Sequence, residues 1–306
     1  MKSYAAAALL LASTAISHPI EKRADITDLD ILQYALTLEH LENVFYKGGV
    51  STMSQDMFVA AGFSAKYYTN LLYVVNDEQD HVQYLTDAIK STGATPVAAC
   101  EYNFPYKDPM SFVALASVLE GVGTSAYLGG AGLIQSKDYL GVAGSILVTE
   151  SIHTSLQRFN LGEIAAANPY GTALGLNQVF TIAGAFIKSC PASNPTLPLK
   201  AFPGLTATQG NPTSQGIPFT FQAKGTVPAS AFVTFVSGLN TTSVPVTMKG
   251  NMISAMIPNT IAGQSYAFIT SSAIAAGMSV TDNMVLFGPA VIEVTPPSPM
   301  FDIKEQ

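Results

Sequence analysis

The chain has 306 residues, of which 48% are hydrophobic and 11% charged, and its formal net charge is −7. This composition excludes a disordered chain, and an acidic balance without a basic run argues against nucleic acid as a partner. The length allows two domains of ordinary size.

Residues 1–23 have the features of a targeting segment. Lys2 precedes an apolar run from residue 5 to 12 that is too short to span a bilayer, and a small-residue cleavage site follows. The segment then ends in Lys22-Arg23, a dibasic pair of the kind that kexin-like proteases cut in fungal secretion. We therefore expect a signal peptide and pro-segment, a secreted or cell-surface protein, and no transmembrane segment further along.

Five helices are predicted between residues 27 and 188. Thr27 is a suitable N-cap for the first helix, and Gly48-Gly49 is expected to end it. A connection with three prolines, from residue 95 to 109, separates the second helix from the third. Short links within two helix pairs and one long crossover between them are typical of a four-helix bundle, here with a fifth helix added. The predicted helices cover about 27–45, 54–91, 109–135, 139–167 and 172–188.

Two of these helices carry the same carboxylate–histidine spacing. Glu78 is followed by His81, and Glu150 by His153, each three residues later. Residues at i and i+3 project from one face of a helix, so each copy presents a carboxylate and an imidazole on the same side.

The other two helices of the predicted bundle each contribute one glutamate, Glu39 and Glu120. Each glutamate follows a leucine and precedes a tyrosine by seven residues, Tyr46 and Tyr127 respectively. The two helix pairs therefore look like repeats of each other. This repeat favours Glu39 over Glu42, one turn away, because the counterpart of Glu42 is a glycine.

The order Glu, Glu-x-x-His, Glu, Glu-x-x-His is the ligand pattern of two-metal carboxylate sites in helical bundles. On these residues the chain resembles the ferritin-like family, over roughly residues 27 to 190. The resemblance implies that Glu39 and Glu120 each bind one metal ion, that Glu78 and Glu150 bridge the pair, and that His81 and His153 complete the coordination. It further implies that Tyr46 and Tyr127 hydrogen-bond to these carboxylates across the bundle.

Oxygen-rich sites with one imidazole per metal suit iron or manganese. Four carboxylates and two neutral imidazoles carry a formal charge of −4, which two divalent cations would balance. A metal-free hydrogen-bonded network of the same residues is the alternative. Asp77, Asp80 and Asp87 are expected on the solvated face of their helix, and His40 is expected to point away from the cluster.

From Pro191 onward the helical period disappears and short β-branched or alternating runs take its place. They predict a small antiparallel β-sandwich, in which we find no candidate chemistry. The boundary is expected within 191–202, which divides the mature chain into a helical bundle over 24–192 and a β-domain over 200–306. The predicted strands are 217–223, 231–236, 243–248, 252–257, 266–271 and 284–294.

The chain has two cysteines, Cys100 and Cys190. In a secreted protein they are expected to form a disulfide bond between the crossover connection and the last helix, two buried free thiols being the alternative. Asn240-Thr241-Thr242 is a sequon for N-glycosylation and predicts a surface loop.

The signal, the dibasic site, the bundle and the β-rich end together resemble fungal secreted proteins of the late sexual development, stress-response and desiccation-related group. Residues 32–46 carry most of this resemblance. It implies a fold and a biological context but no established reaction. We expect a two-metal redox protein acting on O2 or peroxide, with ferroxidase- or catalase-like activity. The alternative is a non-catalytic cell-surface structural or binding protein whose β-domain attaches to the cell wall or to another copy.

Overall fold

The structure is a computed structural model that describes residues 26–208, 213–249 and 252–299. The predicted signal peptide and pro-segment lie outside these residues. The helices are α1 (Asp28–Thr52), α2 (Gln55–Ala60), α3 (Ala65–Ser91), α4 (Pro109–Gly130), α5 (Lys137–Asn160) and α6 (Leu176–Gly184). The four long helices form two pairs, α1 with α3 and α4 with α5, joined by the long connection between α3 and α4.

The starts of the long helices follow the local sequence. Thr27 caps α1 through a reciprocal pair of hydrogen bonds with Asp30, since Thr27 Oγ1 accepts from Asp30 N and Thr27 N donates to Asp30 Oδ2 at 2.9 Å. Asp108 caps α4 in the same way, with Pro109 as the first helical residue. Both starts were expected from the sequence, because a cap depends only on neighbouring residues.

The end of α1 differs from the prediction. The helix does not stop at Gly48-Gly49 but continues to Thr52. A Cβ at Gly49 would lie 2.2 Å from Phe112 Cε2, so glycine is there to let the ring pack against the helix backbone. Its role is close packing rather than helix termination.

The remaining helices are shorter than predicted. The second predicted helix is divided into α2 and α3 by a turn in which Gly62 has a φ of +100°. The third ends at Gly130 and passes into a 3-10 turn, and the fourth ends at Asn160, followed by Gly162 with a φ of +75°. The fifth stops at Gly184 because the chain then enters a strand, β2, paired antiparallel with β1 in the crossover. These two strands are β1 (Glu101–Tyr102) and β2 (Ile187–Ser189).

The β portion consists of two sheets that enclose a second apolar core. Its strands are β3 (Leu205–Ala207), β4 (Thr213–Ser214), β5 (Pro218–Ala223), β6 (Phe232–Ser237), β7 (Asn240–Pro245), β8 (Thr247–Lys249), β9 (Met252–Met256), β10 (Gly263–Thr270) and β11 (Val285–Thr295). One sheet has the order β4-β11-β10-β6-β7 and the other β3-β5-β9-β8. All pairs are antiparallel except the short parallel pair of β4 and β11. The sequence predicted an antiparallel β-rich region and most of these strands, but it predicted neither the strand order nor the short strands β3 and β4. It also missed the division of 243–248 between β7 and β8.

The sheet containing β10 packs directly on the helical bundle. Tyr266 Oη donates to the carbonyl of Gly121 at 3.0 Å and lies 2.7 Å from Ser125 Oγ. Gln264 Nε2 donates to the carbonyl of Val118 at 3.1 Å. Tyr266 belongs to the same apolar cluster as the interior residues of α1 and α4. The β portion therefore packs against α4 and is not connected to the bundle by the linker alone.

Cys100 and Cys190 form a disulfide bond, as the sequence predicted. The bond lies beside the β1–β2 pair and joins the crossover to the segment after α6.

One helix among the described residues, Pro109–Leu133, is long and apolar enough to cross a membrane by length and composition alone. The sequence analysis had expected no such run. In the structure 67% of its most apolar window is buried inside the protein, because neighbouring helices and β10 cover it.

Candidate metal centre

Six side chains from the four long helices meet in the middle of the bundle. Their metal-binding atoms form two groups, and within each group the atoms all lie within 4.8 Å of one another. The first group is Glu39, Glu78, His81 and Glu150, and the second is Glu78, Glu120, Glu150 and His153. Because Glu78 and Glu150 belong to both groups, they occupy the positions that bridging ligands require. All four glutamates are completely buried.

Both histidines direct Nδ1 toward the carboxylates. His81 Nδ1 lies 3.2 Å from Glu39 Oε2 and 3.4 Å from Glu150 Oε1. His153 Nδ1 lies 3.0 Å from Glu78 Oε1 and 3.4 Å from Glu120 Oε2. His81 Nδ1 also lies 3.6 Å from Glu78 Oε2. Each imidazole thus faces one terminal carboxylate and at least one shared carboxylate, as a ligand to one ion of a pair would.

The two tyrosines hold the terminal carboxylates from across the bundle. Tyr46 Oη donates to Glu120 Oε1, and Tyr127 Oη donates to Glu39 Oε1. In each case the second carboxylate oxygen remains directed at a histidine. Burial, reinforced by the adjacent carboxylate, raises the pKa of both tyrosines well above its usual range, so each hydroxyl keeps its proton and stays a donor.

A chain of hydrogen bonds extends from Tyr46 to the far side of the bundle. Gln157 Nε2 donates to Tyr46 Oη at 3.1 Å, and Tyr67 Oη donates to Gln157 Oε1 at 2.5 Å. The sequence analysis did not identify Gln157. Gln157 follows His153 by four residues and therefore lies on the same face of α5. This spacing is the sequence signal that could have identified it.

Asp77 also belongs to the site, although we had expected it on the solvated face of its helix. Its Oδ2 lies 3.2 Å from His153 Nε2, the ring nitrogen that faces away from the cluster. Asp77 precedes His81 by four residues, so the helical period already places it on the inward side of α3. Asp80 and Asp87 do lie on the exposed face, where they accept hydrogen bonds from neighbouring amides of the same helix.

A further buried carboxylate, Glu42, lies at the edge of the cluster. Its side chain is 3% exposed, and a Cβ at Gly123 would lie 2.9 Å from Glu42 Oε1 and 2.5 Å from Glu150 Oε2. The internal repeat had favoured Glu39, which does reach the cluster. It gave no indication that Glu42 is also buried, because the corresponding residue of the other helix pair is a glycine and suggests no carboxylate at this position.

The shifted pKa values of the site reflect buried negative charge that cations would neutralise. Burial raises the pKa of Glu78 to about 7 and that of Glu150 well above its usual range. Burial alone would lower the pKa of His153, but Glu120 and Glu78 outweigh it and raise that pKa to about 12. Without metal, the cluster can therefore be buried only by retaining protons.

Several polar atoms of the cluster have no hydrogen bond of acceptable geometry from any described residue. They are both carboxylate oxygens of Glu78 and of Glu150, Glu120 Oε2 and His153 Nδ1. Buried acceptors are rarely left unsatisfied, and metal ions would engage all of these. A donor set of carboxylates with one imidazole per position fits iron or manganese.

The other predicted sites lie outside this centre. His40 Nε2 lies 3.0 Å from the carbonyl of Val97 and faces the crossover, as expected. Asn240, at the start of β7, is exposed.

A long-helix bundle with shared carboxylates, one histidine per position and tyrosine-held terminal ligands defines a ferritin-like domain, here followed by two β-sheets. Comparison with known families agrees, since a family model described as "Ferritin-like domain" matches residues 27–163. That range covers α1 to α5 and all six predicted ligands.

Two individual proteins are also similar to this chain. The chain is 27% identical over 183 residues to Protein rds1 of Schizosaccharomyces pombe, an alignment that covers 58% of this chain and 44% of the relative. The chain thus spans less than half the length of this curated relative. The crystal structure of a conserved hypothetical protein, rv2844, from Mycobacterium tuberculosis has 22% identity and a TM-score of 0.38, and the match covers 46% of this chain and 97% of that one. The family model therefore supports a ferritin-like domain over residues 27–163, and the S. pombe protein is a fungal protein to which the chain is similar.

Proposed function

We propose that this protein binds two iron or manganese ions and performs redox chemistry on O2 or peroxide. The observation that supports the proposal is the convergence of six inward-facing side chains. Four of them have buried polar atoms without a hydrogen-bond partner among the described residues, namely Glu78, Glu120, Glu150 and His153. Such ions, when bound, would supply one-electron steps in a reaction with O2 or peroxide.

The ligand roles follow from the two groups of atoms. Glu39 and His81 would hold one ion, and Glu120 and His153 the other. Glu78 and Glu150, which belong to both groups, would bridge the pair. Four carboxylates neutralise two divalent cations, so the filled site carries no net charge in the apolar interior.

The surrounding residues keep this geometry in place. Tyr46 and Tyr127 each occupy one oxygen of a terminal carboxylate, which leaves the other oxygen for a metal ion. Asp77 accepts from His153 Nε2 and so keeps the Nδ1 lone pair directed inward. The protein's own part in the chemistry is thus to orient ligands and exclude water.

We further propose that the protein acts outside the cell, in a stress or developmental context. The support comes from the targeting pattern of residues 1–23, the Cys100–Cys190 disulfide bond and the exposed sequon at Asn240. No observation favours the alternative of a purely structural cell-surface protein. The β portion instead makes its observed contacts with the bundle.

Metal analysis of the full chain tests this proposal. Protein purified without chelators, or reconstituted with Mn2+ or Fe2+, should hold close to two ions per chain, and Glu78→Gln combined with Glu150→Gln should abolish binding. Asp80→Asn, on the exposed face of α3, is the matched control and should bind normally. Less than about a tenth of an equivalent of iron plus manganese, with no uptake on reconstitution, would refute metal binding.

Consumption of O2 or hydrogen peroxide by the loaded protein tests the redox part separately. If the loaded protein consumes neither, the proposed redox activity is refuted, while the proposed metal site still stands.

A further inference from the structure

A cavity that is separate from the metal centre lies where the bundle meets the β portion. This interface cavity has a volume of about 240 Å3 and is bounded by α4, α5, the segment between α5 and α6, and the start of β10. A single water molecule needs about 10–15 Å3, so the cavity has room for a molecule of many heavy atoms. Within the described part of the chain, its lining includes none of the six predicted metal ligands, so the proposed metal chemistry does not account for it.

The walls of the interface cavity are rich in hydroxyl groups. They come from every bounding element and include Thr124 on α4, Ser151 and Thr154 on α5, Tyr170 in the segment after α5, and Tyr266 on β10. Asn168 and Gln264 add side-chain amides, and alanines and glycines supply much of the rest. Arg158 is the one charged residue in the lining among the residues that the structure describes.

The hydroxyl protons on the bundle side of the cavity are already used within the protein. Ser151 Oγ donates to the carbonyl of Leu147 at 2.7 Å. Thr154 Oγ1 donates to the carbonyl of Glu150 at 2.9 Å. Thr124 Oγ1 lies 3.2 Å from Thr154 Oγ1 and is the donor of this pair, because the proton of Thr154 is already engaged. A hydroxyl has one proton and two lone pairs, so these oxygens offer acceptor positions to an occupant of the cavity.

Gln264 and Arg158 have their donors engaged in the same way. Gln264 Nε2 donates to the carbonyl of Val118 and to Tyr266 Oη, both at 3.1 Å, which leaves Gln264 Oε1 as an acceptor. The guanidinium of Arg158 donates to both carboxylate oxygens of Glu293. Its charge is thus balanced inside the protein, and the cavity has no strong attraction for an anion.

We propose that the interface cavity binds a neutral polyhydroxylated molecule, either a sugar unit or a sugar alcohol. Such a molecule carries several hydroxyl donors on one small scaffold, which matches walls that offer mainly acceptors. A cationic or anionic ligand would lose hydration without gaining an ion pair from the described lining residues. Tyr170, which is 58% exposed, adds an aromatic ring against which the C–H groups of such a ligand can pack.

A series of matched probes tests the charge of the ligand by ligand-observed NMR titration of the full-length protein. Sorbitol, gluconate and glucamine share a six-carbon hydroxylated chain and are neutral, anionic and cationic respectively. We expect sorbitol and glucose to bind, and the two charged probes to bind about tenfold more weakly than sorbitol. Maltotriose separates two sources of the same chemistry. Binding as tight as that of glucose would support the end of a sugar chain as occupant, and exclusion of maltotriose would support a free sugar or polyol.

Variants of the cavity wall test the location of binding. Ala166→Trp, at an exposed position of the lining, should fill the cavity and abolish binding of sorbitol and glucose. Ser151→Ala removes one acceptor and should weaken binding about 3–10-fold. Ser145→Ala makes the same change on α5 away from the cavity and should leave binding unchanged. Thermal unfolding of each variant checks that it is folded.

Three results would overturn the inference. They are a wild-type protein that binds none of the neutral probes, tighter binding of gluconate or glucamine than of sorbitol, and unaltered sugar binding by folded Ala166→Trp. None of these results bears on the proposed metal site, because the cavity and the metal centre have different residues and the titrations need no metal.

Discussion

His153 is held from two sides, and its two ring nitrogens have different tasks. Nδ1 faces Glu78 and Glu120, whereas Nε2 meets Asp77, which is partly exposed on α3. In the internal repeat the position of Asp77 is taken by Thr149, whose hydroxyl donates to its own helix backbone at 3.4 Å. Among the described residues, a carboxylate is therefore seen at the outer ring nitrogen of His153 and not at that of His81.

We predict that Asp77→Ala lowers the affinity for Mn2+ by about 10–100-fold, because the imidazole loses the group that fixes its tautomer and orientation. Asp77 is partly exposed, so the variant should fold normally. Titration with Mn2+ followed by electron paramagnetic resonance measures the effect, and Asp80→Ala on the same helix is the control. Equal affinities for the two variants would show that Asp77 has no positioning role.

At the scale of the elements, α1 and α4 pack closely because a glycine of one helix faces an aromatic ring of the other. Phe112 stacks on Phe45 with ring centroids 4.5 Å apart, and the edge of Phe112 lies against Gly49. This contact brings together the helices that carry the terminal glutamates, Glu39 and Glu120. The tyrosine hydrogen bonds that cross between these two helices depend on the same close approach.

We predict opposite effects for two alanine substitutions at helical glycines. Gly49→Ala should lower the free energy of unfolding by about 1–3 kcal/mol, because the new methyl group overpacks against Phe112. Gly144→Ala, on α5 with nothing within 4 Å of the added Cβ, should raise it by about 0.5–1 kcal/mol through helix propensity alone. Urea denaturation measures both values. A stabilising Gly49→Ala would contradict the close contact.

For the whole molecule, the helical and β portions are tied together at a buried ion pair as well as through apolar contacts. Arg158, near the end of α5, donates to both carboxylate oxygens of Glu293 on β11, at 2.5 and 2.7 Å. Arg158 is fully enclosed, so its charge depends on that partner. Together with the contact that Tyr266 of β10 makes with α4, this pair explains why the β portion is part of the folded unit.

The metal-free protein should lose stability as the pH rises. Glu78 has its pKa raised from 4.5 to about 7, and His153 from 6.5 to about 12, so the folded state binds more protons than the unfolded state between these values. A raised folded-state pKa gives stability that is complete below the unfolded value and is lost as the pH passes the folded value. We therefore predict a falling Tm for the metal-free protein from about pH 5 to pH 9.

Bound Mn2+ should remove this decline, because cations then replace the protons and are bound more tightly at higher pH. Calorimetry at several pH values, with and without Mn2+, measures the difference. A metal-free protein whose Tm rises over this range would contradict the proton-loaded cluster.

Much of the fold and of the candidate site is encoded in local sequence. The helical period, the caps at Thr27 and Asp108 and the repeated Glu-x-x-His spacing depend on residues within one or two turns of each other. The six side chains that the structure brings together could therefore be named from the sequence, while their binding of metal stays a prediction. Helix ends were less predictable. Gly49 was predicted to end α1, whereas its role is to let Phe112, which is distant in the chain, pack on the helix.

Sequence alone thus determined the ferritin-like bundle, its internal repeat, the disulfide pair and the β-rich C-terminal part. Only the tertiary structure decided that Asp77 supports His153, that Glu42 is buried with one oxygen unpartnered among the described residues, and that β10 covers α4. Periodicity tells which face of a helix points inward, whereas the partner a side chain meets there depends on contacts between residues far apart in the chain. The sequence around a carboxylate therefore does not show whether its side chain will meet solvent or a buried cluster.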